Sequence, residues 1–341
     1  MARKVTERTQ KIRKFLMDAA RLGEQDIVSS ASDLFNISRQ AIHRHLSVLV
    51  DQGRLLATGH TRARVYSLGP VRSHYASYLL KDLDEHIVHR RDFSFIFDGL
   101  PDTVAEICHY GFTEMLNNAI DHSEGLNVTI LADRDAENMV IQIIDDGEGI
   151  FRRIARLLEL PDQRESLLEL SKGKLTTDPD NHTGEGIFFS SRVFDYFFIE
   201  SGDLCFTHHN DVLLHRDTDH SGTRVYMEIA TNSNRDLGQV FDEFTGGPDD
   251  YGFERTIVPV RLALYEGESL VSRSQAKRIL NRVERFRSVI LDFEGVDKIG
   301  QAFADEVFRV FTNRHPEIEL IDVNTTPRVK YMIARAKAVR Q

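Results

Sequence analysis

The feature that most constrains this chain is a set of glycine-and-carboxylate boxes in a fixed order. Glu114-Met115-Leu116-Asn117-Asn118-Ala119-Ile120-Asp121-His122 comes first, Asp145-Asp146-Gly147-Glu148-Gly149 second, and Gly184-Glu185-Gly186 third. In the first box Glu114 and Asn118 stand four residues apart, so a helix puts both side chains on one face. A carboxylate and an amide oxygen so placed can hold a hydrated Mg²⁺ and orient an attacking hydroxyl or water. The second box follows an apolar strand pattern over residues 139–144. Asp145 at the end of that strand is placed to accept a hydrogen bond from the exocyclic amine of adenine, and the glycines let a base approach the backbone. The third box precedes an apolar helical pattern over 187–197, whose first amides suit phosphate. A single nucleotide pocket accounts for all three.

Taken together, the boxes resemble the Bergerat (GHKL, HATPase_c) ATP-binding fold of gyrase, MutL, Hsp-type chaperones, histidine kinases and anti-sigma-factor kinases. The resemblance covers residues 92–230 and brings in a fourth element, Ser221-Gly222-Thr223, ahead of a strand pattern over 224–229. It implies an α/β-sandwich ATPase over 92–231 that takes ATP and Mg²⁺. Asn118 matches the metal ligand, Glu114 the catalytic base and Asp145 the adenine-reading carboxylate, while the Thr223 hydroxyl supports the adenine site. Asp121, Gly147, Gly149, Gly184 and Gly186 join them as ATP-binding positions. The interval 151–183 corresponds to the ATP lid, which closes over phosphates. Lys172, Lys174, Thr176, Thr177, His182 and Thr183 are suitable phosphate donors there, set against the ordinary reading of a solvated polar loop.

A chain of 341 residues exceeds one typical domain. Its 41% hydrophobic and 28% charged residues are those of a globular protein. Two cysteines, Cys108 and Cys205, build neither a disulfide framework nor a metal-ligand spacing, which suits buried thiols in a reducing cytoplasm. No signal-type apolar core follows the basic first residues, and no stretch is apolar enough to span a bilayer, so no membrane partner is expected. The net charge of −10 conceals an asymmetry: residues 1–70 carry 12 Lys+Arg against 6 Asp+Glu, and the remainder 31 against 47. A basic head on an acidic body points the head at a polyanion.

Within that head, helices are expected over 9–22, 29–35 (opened by Ser30-Ala31-Ser32-Asp33) and 39–52, the last capped by Ser38. Ile42, Leu46 and Leu49 form the apolar stripe of the third, with Arg39, Gln40, His43, Arg44 and Ser47 opposite. Two β-like segments, 54–58 and 64–68, carry Arg62 and Arg64 near their junction. Residues 9–70 resemble a winged helix-turn-helix of bacterial transcription regulators, a domain placed at 1–70. That likeness implies DNA binding through Arg39, Gln40, His43 and Arg44 in the major groove and Arg62 and Arg64 on phosphates or the minor groove. The same fold also serves protein contacts. Residues 71–91, with Tyr75, Leu79, Leu83 and Ile87 at four-residue intervals, predict a connector helix, on which His86 and His89 read as solvated.

After a Gly-, Asp- and Asn-rich loop over 231–252, strand and helix patterns alternate to the end of the chain, which predicts a small α/β sheet. The stretch Val289-Ile290-Leu291-Asp292-Phe293-Glu294-Gly295-Val296-Asp297-Lys298-Ile299, followed by Phe303-Ala304-Asp305-Glu306, resembles the STAS-like family, placed here at 252–341. In the related anti-sigma-factor antagonists a phosphorylatable serine follows the strand-end Ile, where this chain has Gly300, Gln301 and Ala302. Ser272 and Gln275 have capping-box spacing. The tail is therefore expected to regulate or to meet a protein partner. The expected whole is a multidomain chain: winged helix-turn-helix, Bergerat ATPase and STAS-like domain. Its expected function is ATP-controlled DNA-binding transcription regulation with slow ATP hydrolysis. The alternatives are an anti-sigma-type serine kinase acting on a separate STAS partner, and a non-catalytic nucleotide-dependent scaffold. A homodimer would suit palindromic DNA.

Overall fold

The structure, a computed structural model that describes residues 7–59, 64–175, 184–207, 221–247, 250–264 and 268–338, begins with three helices whose caps are local. They are α1 (Glu7–Arg21), α2 (Ile27–Phe35) and α3 (Arg39–Asp51). Helix α2 starts two residues earlier than expected, because Asp26 supplies the cap, accepting from Ser29 N at 3.1 Å. Ser38 caps α3 through Ala41 N at 3.2 Å, and Ile42, Leu46 and Leu49 are fully buried beneath it. Strands β1 (Leu55–Thr58) and β2 (Val65–Leu68) then pair antiparallel.

The connector helix expected over 71–91 is a misreading of its first half. Arg72–Leu79 is a strand, β3, which runs antiparallel to β4 (Asn127–Arg134) with Arg72 opposite Arg134 and Leu79 opposite Asn127. The physical reason is that a four-residue repeat satisfies a two-residue period as well as a helical one. Tyr75 and Leu79 do share a face, but it is the exposed face of a sheet edge. Helical structure starts only at α4 (Glu85–Val88), passes through a π-helical turn (His89–Phe93) and ends as α5 (Ser94–Phe97). His89 is not solvated: its ring stacks on His109 at 4.5 Å, and burial pushes its pKa down to about 4.

The long helix α6 (Asp102–His122) precedes β4, and β5 (Asn138–Asp145) returns beside it. Three short helices follow, α7 (Ile150–Leu157), α8 (Glu165–Lys172) and α9 (Gly186–Val193), then β6 (Tyr196–Ser201), β7 (Leu204–Thr207) and β8 (Arg224–Ala230). The six strands lie in the order β3-β4-β5-β8-β6-β7, all neighbours antiparallel. Burial alternates along them: Val128, Ile130 and Ala132 in β4, Met139, Ile141 and Ile143 in β5, Val225, Met227 and Ile229 in β8 are inside. Helix α6 covers that face. It comes close because Gly111 has no side chain; a Cβ there would lie 2.4 Å from the Phe194 ring. Helix α9 is shorter than the apolar run that announced it, since Phe194 turns extended and Tyr196 opens β6.

The segment expected as a loop over 231–252 holds α10 (Leu237–Asp242) and a narrow ribbon of β9 (Thr245–Gly247) and β10 (Asp250–Phe253). The tail is then β11 (Arg255–Pro259), α11 (Arg273–Leu280), β12 (Ser288–Asp292), α12 (Gln301–Asp305), β13 (Glu319–Val323) and α14 (Pro327–Ala338), α12 running on through a π-helical stretch into α13 (Thr312–Arg314). Its strands are parallel in the order β11-β12-β13. Ser272 and Gln275 close the reciprocal capping box of α11.

Head and body share one apolar core, whereas the tail has its own, into which Leu168, Phe188 and Phe189 of the body project. Phe188 lies 4.5 Å from Phe253 and Phe189 4.5 Å from Phe241, ring to ring. Beside them Lys172 is buried, donating to Glu169 Oε1 at 2.8 Å, Asn281 O at 2.8 Å and Arg278 O at 2.9 Å. Removing one member of a buried ion pair strands the other charge. Lys172→Ala should therefore lower unfolding free energy by about 3 kcal/mol in urea titrations, the low end of such losses, because Arg282 and Asn281 still face Glu169. A change under about 1 kcal/mol would show that the pair does not hold the tail.

Candidate functional site

A cavity of about 280 Å³ opens between α6, the ends of β5 and β8, and the helices α7 to α9. Each element brings its residues for a local reason. Helix α6 offers Glu114, Asn117, Asn118 and His122, spaced on one face. Asp145 enters from the end of β5 and Thr223 from the start of β8, adjacent strands in the sheet. Gly184 and Gly186 bound the opening of α9.

The carboxylate of Asp145 is held rigidly. Its Oδ1 accepts from Gly147 N at 2.9 Å and Thr223 N at 3.1 Å, and the Thr223 hydroxyl also hydrogen-bonds the carboxylate. Burial raises its pKa, and those two amide bonds pull against the rise. The Thr223 hydroxyl accepts from Ile150 N at 3.0 Å and so fixes the start of α7. Asp146 and Glu148 of the same box turn elsewhere. Asp146 ties down Leu126 and Asn127 of the β4 entry, and Glu148 pairs with Arg156 at 2.6 Å.

Glu114 meets α9 at its first residue. A Cβ built on Gly186 would lie 2.0 Å from Glu114 Oε2, so this approach needs glycine. It also sets a carboxylate at the positive end of a helix. The Asn118 amide, half-buried in the cavity wall, makes only a long contact to Met115 Sδ at 3.9 Å among the described residues.

Other expected residues stand apart. Asp121 is exposed on α6 and outside the cavity lining, whereas His122 lines the cavity. Gly147 and Gly149 are structural neighbours of the cavity rather than its wall: a Cβ at Gly147 would strike Ser123 O at 2.0 Å and one at Gly149 Ser201 Oγ at 2.4 Å. Lys172 is committed to the tail, as is Lys174, whose Nζ reaches Arg285 O at 3.2 Å. Neither is a phosphate donor in this arrangement. Thr176, Thr177, His182 and Thr183 lie outside the described residues, as does Arg62. In the head, Arg39, Gln40, His43 and Arg44 are exposed together on α3, Arg39 facing Asp26 at 3.7 Å. Arg64 is exposed with its guanidinium 5.7 Å from the Tyr66 ring centre.

Sequence reasoning missed Arg153 and His122, the cavity's cation and imidazole. His122 was visible at i+4 from Asn118. Arg153 had no such signal, since α7 reaches the site only by folding back over β5.

The sequence profile of the STAS-like domain of unknown function (DUF4325) matches residues 275–330. That part of the chain is STAS-like. The structural unit is larger than the match, since β11, which docks on α8, precedes it. No curated protein matches the chain. No helix of the described residues is long and apolar enough to cross a membrane.

The contact of Glu114 with Gly186 gives a test of the site's packing. Gly186→Ala should cost about 1–3 kcal/mol of stability by overpacking, and Glu114→Ala in the same chain should recover most of that loss. Equal costs in both backgrounds, read by urea titration, would mean that the two residues are not in contact.

Proposed function

We propose that the cavity binds ATP with Mg²⁺ in a Bergerat-type site, and that nucleotide state governs DNA binding by a winged helix-turn-helix head. The observation that carries the reading is the pairing of a rigid, buried Asp145 with the Glu114–Asn118 face across one cavity that ends at Gly184 and Gly186. The donor set suits the group. The Asp145 carboxylate, an acceptor in the cavity wall, would take an adenine amine, and the Asn118 amide oxygen a cation. No cluster of three or more His, Cys, Asp or Glu able to hold a metal occurs among the described residues. A cation here would therefore lean on Asn118 and on oxygens of its own ligand, as Mg²⁺ at phosphates does.

When bound, the nucleotide supplies an electrophilic phosphorus. The protein's contribution is to hold the base end at Asp145 and Thr223 and to keep Glu114 at the far end, where it can take a proton from water or from a partner's hydroxyl. Helix α8, one side of the site, is fastened to the tail through Lys172 and Thr256, whose hydroxyl donates to Lys172 O at 2.6 Å. Movement of the lid segment would thus load the tail directly. The tail is not a phosphoacceptor at the antagonist position, since Gly300, Gln301 and Ala302 at the start of α12 carry no hydroxyl.

Three measurements test this. With γ-labelled ATP, the protein should release free phosphate slowly, and Glu114→Ala should reduce the rate at least about 100-fold, as loss of a general base does. Asn118→Ala should remove Mg²⁺-dependent binding. Label arriving on protein instead would establish the serine-kinase alternative, and firm binding without turnover the scaffold. For the head, Arg39→Ala with Arg44→Ala should abolish sequence-specific DNA binding in a filter or mobility assay, losing about 1–3 kcal/mol per base contact. Undiminished specific binding would reject α3 as the reading helix.

A further inference from the structure

A second cavity, of about 410 Å³, lies where the head meets the body. Helix α1 and Arg54, just before β1, form its head side; Ser73, His74 and Tyr75 of β3, with Phe95, form the body side. Its walls are partly apolar. Met17 and Phe95 are buried, and the His74 ring packs edge-on against Phe93 at 4.9 Å and Phe95 at 6.0 Å.

Into this cavity the fold brings Lys11, Arg13, Lys14 and Arg54 against a single lining carboxylate, Asp18. Three of the cations, Lys11, Lys14 and Arg54, are partly spoken for. Lys14 Nζ donates to Asp92 at 3.2 Å, and Arg54 Nη2 to Ser73 O at 2.7 Å. Yet the Nε–H of Arg13 and the Nε–H of Arg54 are both buried with no acceptor. Burial and the neighbouring Arg13 charge hold the Arg54 guanidinium below its ordinary value, so the two cations work against each other. A structural joint gains nothing from this: apolar side chains of similar length would seal it without stranded donors. An oxyanion in the cavity supplies a counter-charge to the pair, accepting from their Nη–H groups.

We propose that this cavity binds a small phosphate monoester with an apolar body, its phosphate on Arg13 and Arg54 and its body against Met17, His74 and Phe95. The site is separate from the nucleotide cavity and independent of it. Because its cations come from the head and its floor from the body's edge strand, an occupant fastens the two together. It is a second input to the head, alongside the one proposed at Asp145.

Phenyl phosphate is the probe, titrated into the full chain by calorimetry at constant ionic strength, with phenol as the uncharged counterpart. Saturable one-to-one binding is expected for phenyl phosphate and not for phenol, unchanged in Asn118→Ala. Arg13→Gln should weaken it at least about tenfold, the loss expected of a charge-assisted pair, and Arg13→Lys should restore only part. Arg13→Gln should also unfold at the same temperature as the parent or higher, since it removes a buried Nε–H that has no acceptor. Absence of saturable binding, equal affinity in Arg13→Gln, or loss of binding in Asn118→Ala would overturn the proposal. Displacement of the probe by duplex DNA, with DNA affinity itself falling in Arg13→Gln, would overturn it in favour of a backbone-phosphate contact.

Discussion

Helix α9 is eight residues long and has no spare face. Its first residue, Gly186, admits the carboxylate of Glu114, and its third and fourth residues, Phe188 and Phe189, enter the tail's core. Arg192, at its end, lies with its guanidinium 3.4 Å from the Phe188 ring centre and donates to Phe188 O. Burial pushes the Arg192 pKa down to about 9. A single rigid rod thus fixes both the acid end of the cavity and the docking of the tail. Helix α8 repeats the arrangement, with Leu170 towards the cavity and Leu168 in the tail's core.

The polar side of that joint is charged rather than neutral. Glu165 meets Arg278 at 3.1 Å, and Glu169 draws Lys172, Asn281 and Arg282 around it. Burying such a group costs desolvation free energy that an apolar contact would not. What the charges contribute is register: backbone carbonyls of Arg278 and Asn281 accept from one ammonium, so the tail can seat on α8 in only one way.

Much of this was legible in the chain. The four-residue spacing of Glu114 and Asn118, the strand ahead of Asp145, the Ser38 cap and the Ser272–Gln275 box all act within a turn or two, and local chemistry decides them. What stayed hidden was decided at long range. The strand at Arg72–Leu79 exists because β4 offers it an edge, and nothing in its own four-residue rhythm distinguishes that from a helix. Lys172 and Lys174 read as phosphate donors because the carbonyls that take them, at 278, 281 and 285, lie a hundred residues on. Asp121 came with the motif, but its side chain is exposed outside the cavity lining.

The tail's sharing of its interior with the body bears on how such a chain can change over generations. A domain hung on a linker can be exchanged whole, since its own surface closes behind the cut. Here a cut between β8 and β11 would bare Leu168, Phe188 and Phe189 on one side and Phe253 and Phe286 on the other, two oily faces of the kind that draw proteins into aggregates. Recombination at that seam is disfavoured, so the central body and the STAS-like tail are bound to drift as a pair, each substitution at the joint awaiting its counterpart.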